Sequence, residues 1–141
     1  GILSKGLLIA PPEAPSTGYM FGKGVYFADV VTKSANYCSA SPDRRTAILA
    51  LCEVALGETN DVLAADFNAK DKLLFKGSTK GLGRWAPNKW ERLPDGSCEV
   101  PMGPMQATDR AGQCLQYNEY IVYSLDQVKL RYLVRVRFDY K

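Results

Sequence analysis

The segment YNEYIVYSLDQVKLRYLVRVRFDY, residues 117–140, contains two runs in which side chains of different character alternate. From Leu130 to Tyr140 every second residue is apolar or aromatic, and most of the residues between them are charged. Successive side chains of a β-strand point to opposite faces, so this pattern predicts a strand with one core face and one charged face. A second strand is predicted within 117–124. Its one face would carry Tyr117, Glu119, Ile121 and Tyr123, and its other face Asn118, Tyr120 and Val122.

The rest of the chain predicts further strands and little helix. The near-continuous apolar run TAILALCEVAL, residues 46–56, is typical of a buried strand. GVYFA predicts a short strand at 24–28, and VVTKSANYC predicts a helix at 30–38 with Asp29 as its N-cap. We expect a short strand or turn and a helical piece within 58–75. The glycine- and proline-rich stretch 76–113 predicts a long, mostly irregular excursion, with a brief strand in SCEVPMG. The class is therefore α+β with mainly antiparallel strands.

Composition and length limit the possible functions. The chain has 141 residues, is 46% apolar and carries a net charge of +3, values that fit a single globular domain. It contains no histidine, so a Ser-His-Asp or Cys-His catalytic arrangement within this chain is excluded. The four cysteines show no metal-binding spacing, and we interpret them as reduced thiols and expect no metal site. No apolar run has the length of a membrane span.

A glycine-rich stretch, GYMFGKGVYFAD at 18–29, is the first candidate binding element. In a strand, Tyr26 shares its face with Gly24 and Ala28, which would leave a flat, open shelf beside an aromatic ring. Such a shelf suits a stacked aromatic ligand. The alternative is a tyrosine packed beneath a neighbouring element, with glycines that only turn the backbone.

Two further groups of residues could carry chemistry. On the predicted helix, Lys33 and Tyr37 share a face with Ser34 at its edge, which is either a binding face or a solvated one. Glu119 lies among apolar and aromatic residues, so it is either an edge residue that faces solvent or a buried acid held in a defined position for chemistry. Glu53, in a similar apolar strand, is interpreted as structural. The basic row Lys129, Arg131, Arg135 and Arg137 is interpreted as a solvated strand face, with polyanion contact as the alternative.

Four segments together resemble one known family. They are GLLIAPPEAPSTGYMFGKGVYFADVVTKSANYC, STKGLG, VPMGP and YNEYIVYSLDQVKLRYLVRVRF. The chain is similar over residues 1–141 to the catalytic domain of the poly(ADP-ribose) polymerases, and most similar to the nuclear, DNA-damage-dependent members. The resemblance implies the ADP-ribosyltransferase fold, with two packed, mainly antiparallel sheets. It also implies transfer of ADP-ribose from NAD to protein side chains and to a growing poly(ADP-ribose) chain, with release of nicotinamide.

The resemblance also implies roles for individual residues. Tyr26 and Tyr37 would sandwich the nicotinamide ring, and Ser34 would hydrogen-bond its carboxamide. Glu119 would be catalytic, binding the 2′-hydroxyl of the nicotinamide ribose and polarising the acceptor hydroxyl, with Lys33 near it. Gly24, Ala28 and Tyr19 would complete the NAD-binding set, and the Gly-Lys-Gly pivot would clear space for nicotinamide. Residues 8–19 would form a donor loop and residues 76–104 an acceptor-side loop.

Two departures from the family pattern bear on these expectations. The family's His-Gly-Ser/Thr motif would lie just before residue 1, so the chain is interpreted as a catalytic domain whose N-terminal part is missing. Leu8 stands where close relatives carry arginine. The alternatives to a polymerase are a mono-ADP-ribosyltransferase and a non-catalytic module that binds NAD or a partner. The retained Glu119 favours the polymerase. DNA contact would come only through regions outside this chain, and a nuclear location is expected, with no membrane association.

Overall fold

The computed structural model describes residues 5–14 and 18–141, and strands dominate this part of the chain. One short α-helix, α1, spans Val31–Ala35. Two 3-10 helices span Ala69–Lys72 and Leu125–Gln127. The strands, in chain order, are β1 (Val25–Phe27), β2 (Thr46–Val54), β3 (Thr59–Val62), β4 (Ser78–Gly81), β5 (Gly83–Pro87), β6 (Trp90–Arg92), β7 (Glu99–Pro101), β8 (Met105–Ala107), β9 (Leu115–Tyr117), β10 (Glu119–Val122) and β11 (Val128–Arg137).

The central sheet is formed by four strands in the order β1-β10-β4-β3. Strand β10 lies between β1 and β4 and is antiparallel to both, while β3 and β4 are parallel. The register places Tyr26 opposite Ile121 and Glu119 opposite Gly81. All four residues of β10 are buried, as expected for a strand with neighbours on both sides.

The core packs around one face of this sheet. Phe21, Ala69, Leu115 and Ile121 form a buried apolar cluster, and Tyr26 packs against its margin. Phe21 and Ile121 are completely inaccessible to solvent. Because Ile121 lies on the same strand face as Glu119, the apolar cluster and the candidate acid are neighbours on one surface of β10.

A separate antiparallel ribbon is formed by β2 and β11. Both strands are found where the sequence predicts them, but the prediction that 46–56 is buried is wrong, as is the predicted core face of β11. Ile48 is 61% exposed and Tyr132 is 61% exposed. The physical reason is that, in the described part of the chain, no other helix or strand packs extensively on the faces of this ribbon. The register also shifts by one residue between Leu130 and Tyr132, which interrupts the alternation.

The stretch 76–113 is more regular than predicted. It contains β4 to β8, including the predicted brief strand, which is β7 at Glu99–Pro101. Strands β6 and β7 form an antiparallel pair, and β5 pairs with β8 and β9. Three-residue strands are too short to show alternation, so glycine and proline dominated the sequence pattern. The expected strand and helical piece within 58–75 are confirmed as β3 and the first 3-10 helix.

The α+β class with mainly antiparallel pairing is confirmed, although the strands of the described residues fall into four hydrogen-bonded groups rather than two. The four cysteines are free thiols, and burial raises the pKa of Cys52. Within residues 5–14 and 18–141, none of the helices is both long and apolar enough to cross a membrane.

Candidate active site

A buried ion pair joins α1 to the start of β10. The Lys33 ammonium Nζ lies 3.0 Å from Glu119 Oε1, and about nine-tenths of each side chain is shielded from solvent. The same ammonium donates a hydrogen bond to the backbone oxygen of Tyr117 at 3.1 Å. Burying a carboxylate is costly unless it is paired, and Lys33 provides that partner. Glu119 is therefore a placed acid and not a solvent-facing edge residue.

The second oxygen of this carboxylate has a different environment. Glu119 Oε2 is buried and has no hydrogen-bond partner among the described residues. Buried polar atoms are nearly always hydrogen-bonded, so an unsatisfied one needs an explanation. An oxygen with free lone pairs can accept a hydrogen bond from a ligand hydroxyl or take a proton from it. The ion pair fixes one oxygen and leaves the other available.

Tyr26 lies on the neighbouring strand, on the same face as Glu119. Its hydroxyl donates to the backbone oxygen of Gly22 at 2.7 Å and accepts from the backbone N–H of Phe21 at 3.0 Å. Burial is the largest cause that raises the pKa of Tyr26 to about 12, with smaller contributions from nearby groups such as Glu119. The ring of Tyr19 lies 6.3 Å from that of Tyr26 between centroids. Tyr26 is thus a rigid, neutral aromatic surface at physiological pH.

Gly24 has a different physical role from the one predicted. A Cβ atom at this position would lie 2.6 Å from the backbone oxygen of Val122 and 2.8 Å from Cγ2 of Ile121. The space beside Gly24 is filled by β10, so the interpretation that this glycine leaves an open shelf is wrong. It is required because β1 and β10 approach each other closely.

The remaining predicted residues lie on or just after α1 or beside β1, at different degrees of burial. Ser34 follows Lys33 on α1 and is partly buried, whereas Tyr37, just beyond the helix, is 80% exposed. Ala28 directly follows β1, and extending the register of β1 and β10 by one residue places it opposite Glu119. The structure thus brings Lys33 and Ala28 to the end of β10 that carries Glu119, and Ser34 follows Lys33 on α1. It leaves the Tyr37 ring open to solvent.

The predicted donor loop is attached to the glycine-rich segment by Lys23. The ammonium of Lys23 donates hydrogen bonds to the backbone oxygens of Pro11, Pro12 and Ala14, at 2.7, 2.5 and 2.5 Å. Proline residues have no N–H, so this loop cannot form a regular backbone ladder, and a lysine supplies three donors to its oxygens. Residues 15–17 of the predicted loop, including Pro15, lie outside the described residues.

Asp29 does not cap α1, which corrects the prediction. The N-cap residue is Val30, and no side chain caps the helix. Asp29 is instead buried, and its Oδ2 accepts hydrogen bonds from Asn118 Nδ2 at 2.8 Å and from the Tyr120 hydroxyl at 2.9 Å. Burial, followed by the charge of Asp29, raises the pKa of the Tyr120 hydroxyl. Asn118 also accepts from the backbone N–H of Gly83 at 2.9 Å.

Sequence reasoning missed this buried network and the Lys23 contact. The alternation in 117–124 had placed Asn118 and Tyr120 together on the face opposite Glu119, which was a usable signal. Nothing in the sequence indicated which acid would meet them, because an aspartate before a helix usually caps it.

Comparison with known proteins gives one consistent result. Residues 1–138 match the family model described as the poly(ADP-ribose) polymerase catalytic domain. The chain is 56% identical over 144 residues to poly(ADP-ribose) polymerase 2 of Arabidopsis thaliana, covering 100% of this chain and 22% of that protein. It is 53% identical to poly(ADP-ribose) polymerase 2 of Homo sapiens, covering 99% of this chain and 24% of that protein. It is 51% identical to poly(ADP-ribose) polymerase 1 of Xenopus laevis, covering 100% of this chain and 14% of that protein.

These matches define the class of protein to which the fold and the site correspond. The chain belongs to the poly(ADP-ribose) polymerase catalytic-domain family. It spans less than a quarter of the length of the relatives described above.

Proposed function

We propose that this chain carries part of the catalytic site of an NAD-dependent ADP-ribosyltransferase that elongates poly(ADP-ribose). The observation that carries the proposal is the half-satisfied carboxylate of Glu119. Oε1 is paired with Lys33, while Oε2 is buried without a partner in the described residues. Family membership supports the reaction class, since the relatives are named as poly(ADP-ribose) polymerases.

In this proposal Glu119 acts at the reacting centre. As the bond between nicotinamide and ribose C1′ breaks, its electron pair leaves with nicotinamide, and positive charge develops on the ribose. A carboxylate close to that ribose stabilises the charge as it forms. The oxygen of an acceptor hydroxyl then bonds to C1′, and its proton passes to Glu119 Oε2. Lys33 orients the carboxylate through Oε1.

The aromatic and small residues of the site hold the leaving group. Tyr26 offers a ring fixed through its hydroxyl at Gly22 and Phe21, and the exposed ring of Tyr37 can close on the opposite face of nicotinamide. Ser34 would bind the carboxamide, and Ala28 and Tyr19 would line the NAD site, whereas Gly24 allows β1 to lie close to β10. A planar slot restricts the leaving group and positions C1′ for attack.

Two loops would complete the proposed site, one on the side of the donor NAD and one on the side of the acceptor. Residues 8–19 would cover NAD, held by the contact of Lys23 with the loop, and residues 76–104 would border the acceptor. The acceptors would be protein side chains and the poly(ADP-ribose) chain itself, in the nucleus. DNA would act only through regions outside this chain, and the reaction needs no metal.

The test uses NAD labelled in its ADP-ribose part and a denaturing gel. The intact protein that contains residues 1–141 is compared with residues 1–141 alone. A ladder or smear of labelled product from the intact protein is the expected result. A single sharp band would identify mono-ADP-ribosyl transfer instead. Absence of label, together with measurable nicotinamide binding, would identify a binding module and overturn the proposal.

A further inference from the structure

The segment from Asp29 to Lys33 contacts four consecutive residues, 117 to 120, from two sides. Lys33 binds the backbone oxygen of Tyr117 and the carboxylate of Glu119. Asp29 accepts hydrogen bonds from the side chains of Asn118 and Tyr120. The contacts therefore alternate along residues 117–120. Lys33 contacts residues 117 and 119, and Asp29 contacts residues 118 and 120.

The geometry of a strand explains why the alternation matters. Asn118 and Tyr120 point to the face opposite Glu119, one residue before it and one residue after it. When both flanking side chains are bound to a single carboxylate oxygen, rotation of the backbone about the strand axis at Glu119 is restricted. Asn118 also binds the backbone N–H of Gly83, so the network is anchored to β5.

The cost of the network suggests that stability is not its main role. Asp29 is 9% exposed, and none of the described lysines or arginines forms an ion pair with it. Its Oδ1 is buried without a hydrogen-bond partner among the described residues. A buried carboxylate without a cation is expensive, and an apolar filling would usually be at least as stable. Such a group is explained more readily by orientation of its neighbours than by stability.

We propose that Asp29 is a positioning residue that orients the Glu119 carboxylate through Asn118 and Tyr120. This inference rests on the proposed catalytic role of Glu119. Asp29 does not contact the reacting atoms itself, because its partners lie on the opposite face of β10. Its role is to keep Oε2 of Glu119 directed to one position while Lys33 holds Oε1.

The experiment measures steady-state elongation by the intact protein that contains this chain, with the variant Asp29→Asn. Asn has the shape of Asp but no negative charge, so its amide oxygen accepts the two hydrogen bonds from Asn118 and Tyr120 more weakly. We expect kcat to fall about 10- to 100-fold, because small misplacement of a reacting group costs up to that factor. The KM for NAD should stay within about twofold. Asp66→Asn is the matched control, because Asp66 binds Lys72 and the backbone of Asn68 away from Glu119.

A double-variant cycle separates positioning from a structural effect. If Asp29 acts through Glu119, Asp29→Asn should not lower the residual NAD cleavage of the Glu119→Gln protein further. Multiplication of the two effects, or an unchanged kcat in Asp29→Asn alone, would overturn the inference. If Glu119→Gln itself leaves elongation unchanged, the proposed function fails instead, and the two failures are thereby distinguished.

A second variant keeps the test valid if Asp29→Asn does not fold. Tyr120→Phe removes one of the two hydrogen bonds to Asp29 and preserves the ring. We expect a smaller loss of kcat than in Asp29→Asn and the same absence of further loss in the Glu119→Gln background. Full elongation by a folded Tyr120→Phe protein, with the same product length as the unmodified protein, would contradict the inference.

Discussion

Strands β10 and β11 are consecutive in the chain and both contain aromatic, β-branched and charged residues, but they differ in their exposure to solvent. All of β10 is buried between β1 and β4, whereas most residues of β11 are exposed in the ribbon with β2. Glu119 on β10 is paired with Lys33 at 3.0 Å, and Glu53 on β2 is paired with Arg131 at 3.2 Å. The first pair is shielded and the second is partly open to water. The comparison teaches that two ion pairs of similar length differ in their exposure to water, because only one of them lies on a fully buried strand.

The largest expected difference between the two regions concerns catalysis. Glu119→Gln should lower polymer elongation about 100- to 10,000-fold, because it removes the group that we propose takes the acceptor proton. Glu53→Gln on the ribbon should leave elongation unchanged. Both variants are measured by the length and amount of labelled product formed from NAD. Equal activity of the two variants would remove the distinction between the two glutamates.

The next difference concerns stability and uses one residue type in both regions. Ile121 is 0% exposed and Ile48 is 61% exposed. Ile121→Ala should lower the free energy of unfolding by about 2–5 kcal/mol, because it leaves a cavity in the core. Ile48→Ala should change it by less than about 1 kcal/mol, since its side chain is already in water. Denaturant unfolding of both variants measures these values, and similar losses would show that the ribbon is covered in solution.

A third difference concerns ligand binding by tyrosines. Tyr26→Ala should weaken nicotinamide binding by about 1–3 kcal/mol, because it removes the aromatic surface of the proposed slot. Tyr132→Ala on the ribbon should leave this affinity unchanged. Calorimetric titration with nicotinamide, at a temperature where each variant is folded, gives both numbers. Unchanged affinity in Tyr26→Ala would exclude its role in the slot.

The smallest effect appears at high pH. Burial raises the pKa of Tyr26 from its ordinary value of 10.0 to about 12. Below pH 10 the tyrosine is protonated in both the folded and the unfolded chain. As the pH rises from 10 to 12, the unfolded chain loses this proton first, so the folded state loses stability. The fall in the free energy of unfolding over this range should be smaller in Tyr26→Phe, and an identical fall would contradict the assignment.

The sequence predicted the strands better than their surroundings. Strands β2, β10 and β11 lie where alternation or apolar runs placed them. Their burial was not predictable from the pattern, because alternation shows which residues share a face and not what covers that face. Of the short strands between 76 and 113, β7 was predicted and the others were missed, because three to five residues show too little of a period.

The candidate site was predicted in a similar, partial way. The sequence placed Lys33, Ser34 and Glu119 as candidates, and the structure brings Lys33 and Glu119 into contact. Asp29 was misassigned, because a helix cap and a buried acid have the same local sequence. Gly24 was predicted to leave space for a ligand. The strand that fills this space, β10, comes almost a hundred residues later, so the local sequence around Gly24 does not show it.

The strand order β1-β10-β4-β3 has a consequence for how the protein is made. Strand β10, one of the two inner strands of the central sheet, is the last of its four strands to leave the ribosome. The hydrogen bond that Lys33 donates to this segment and the two that Asp29 accepts from it span 84 to 91 residues, so they close some of the longest loops in the chain. Such contacts form late, because distant segments must meet before any gain in free energy. The strand that completes the sheet is therefore also the one that brings Glu119 beside Lys33.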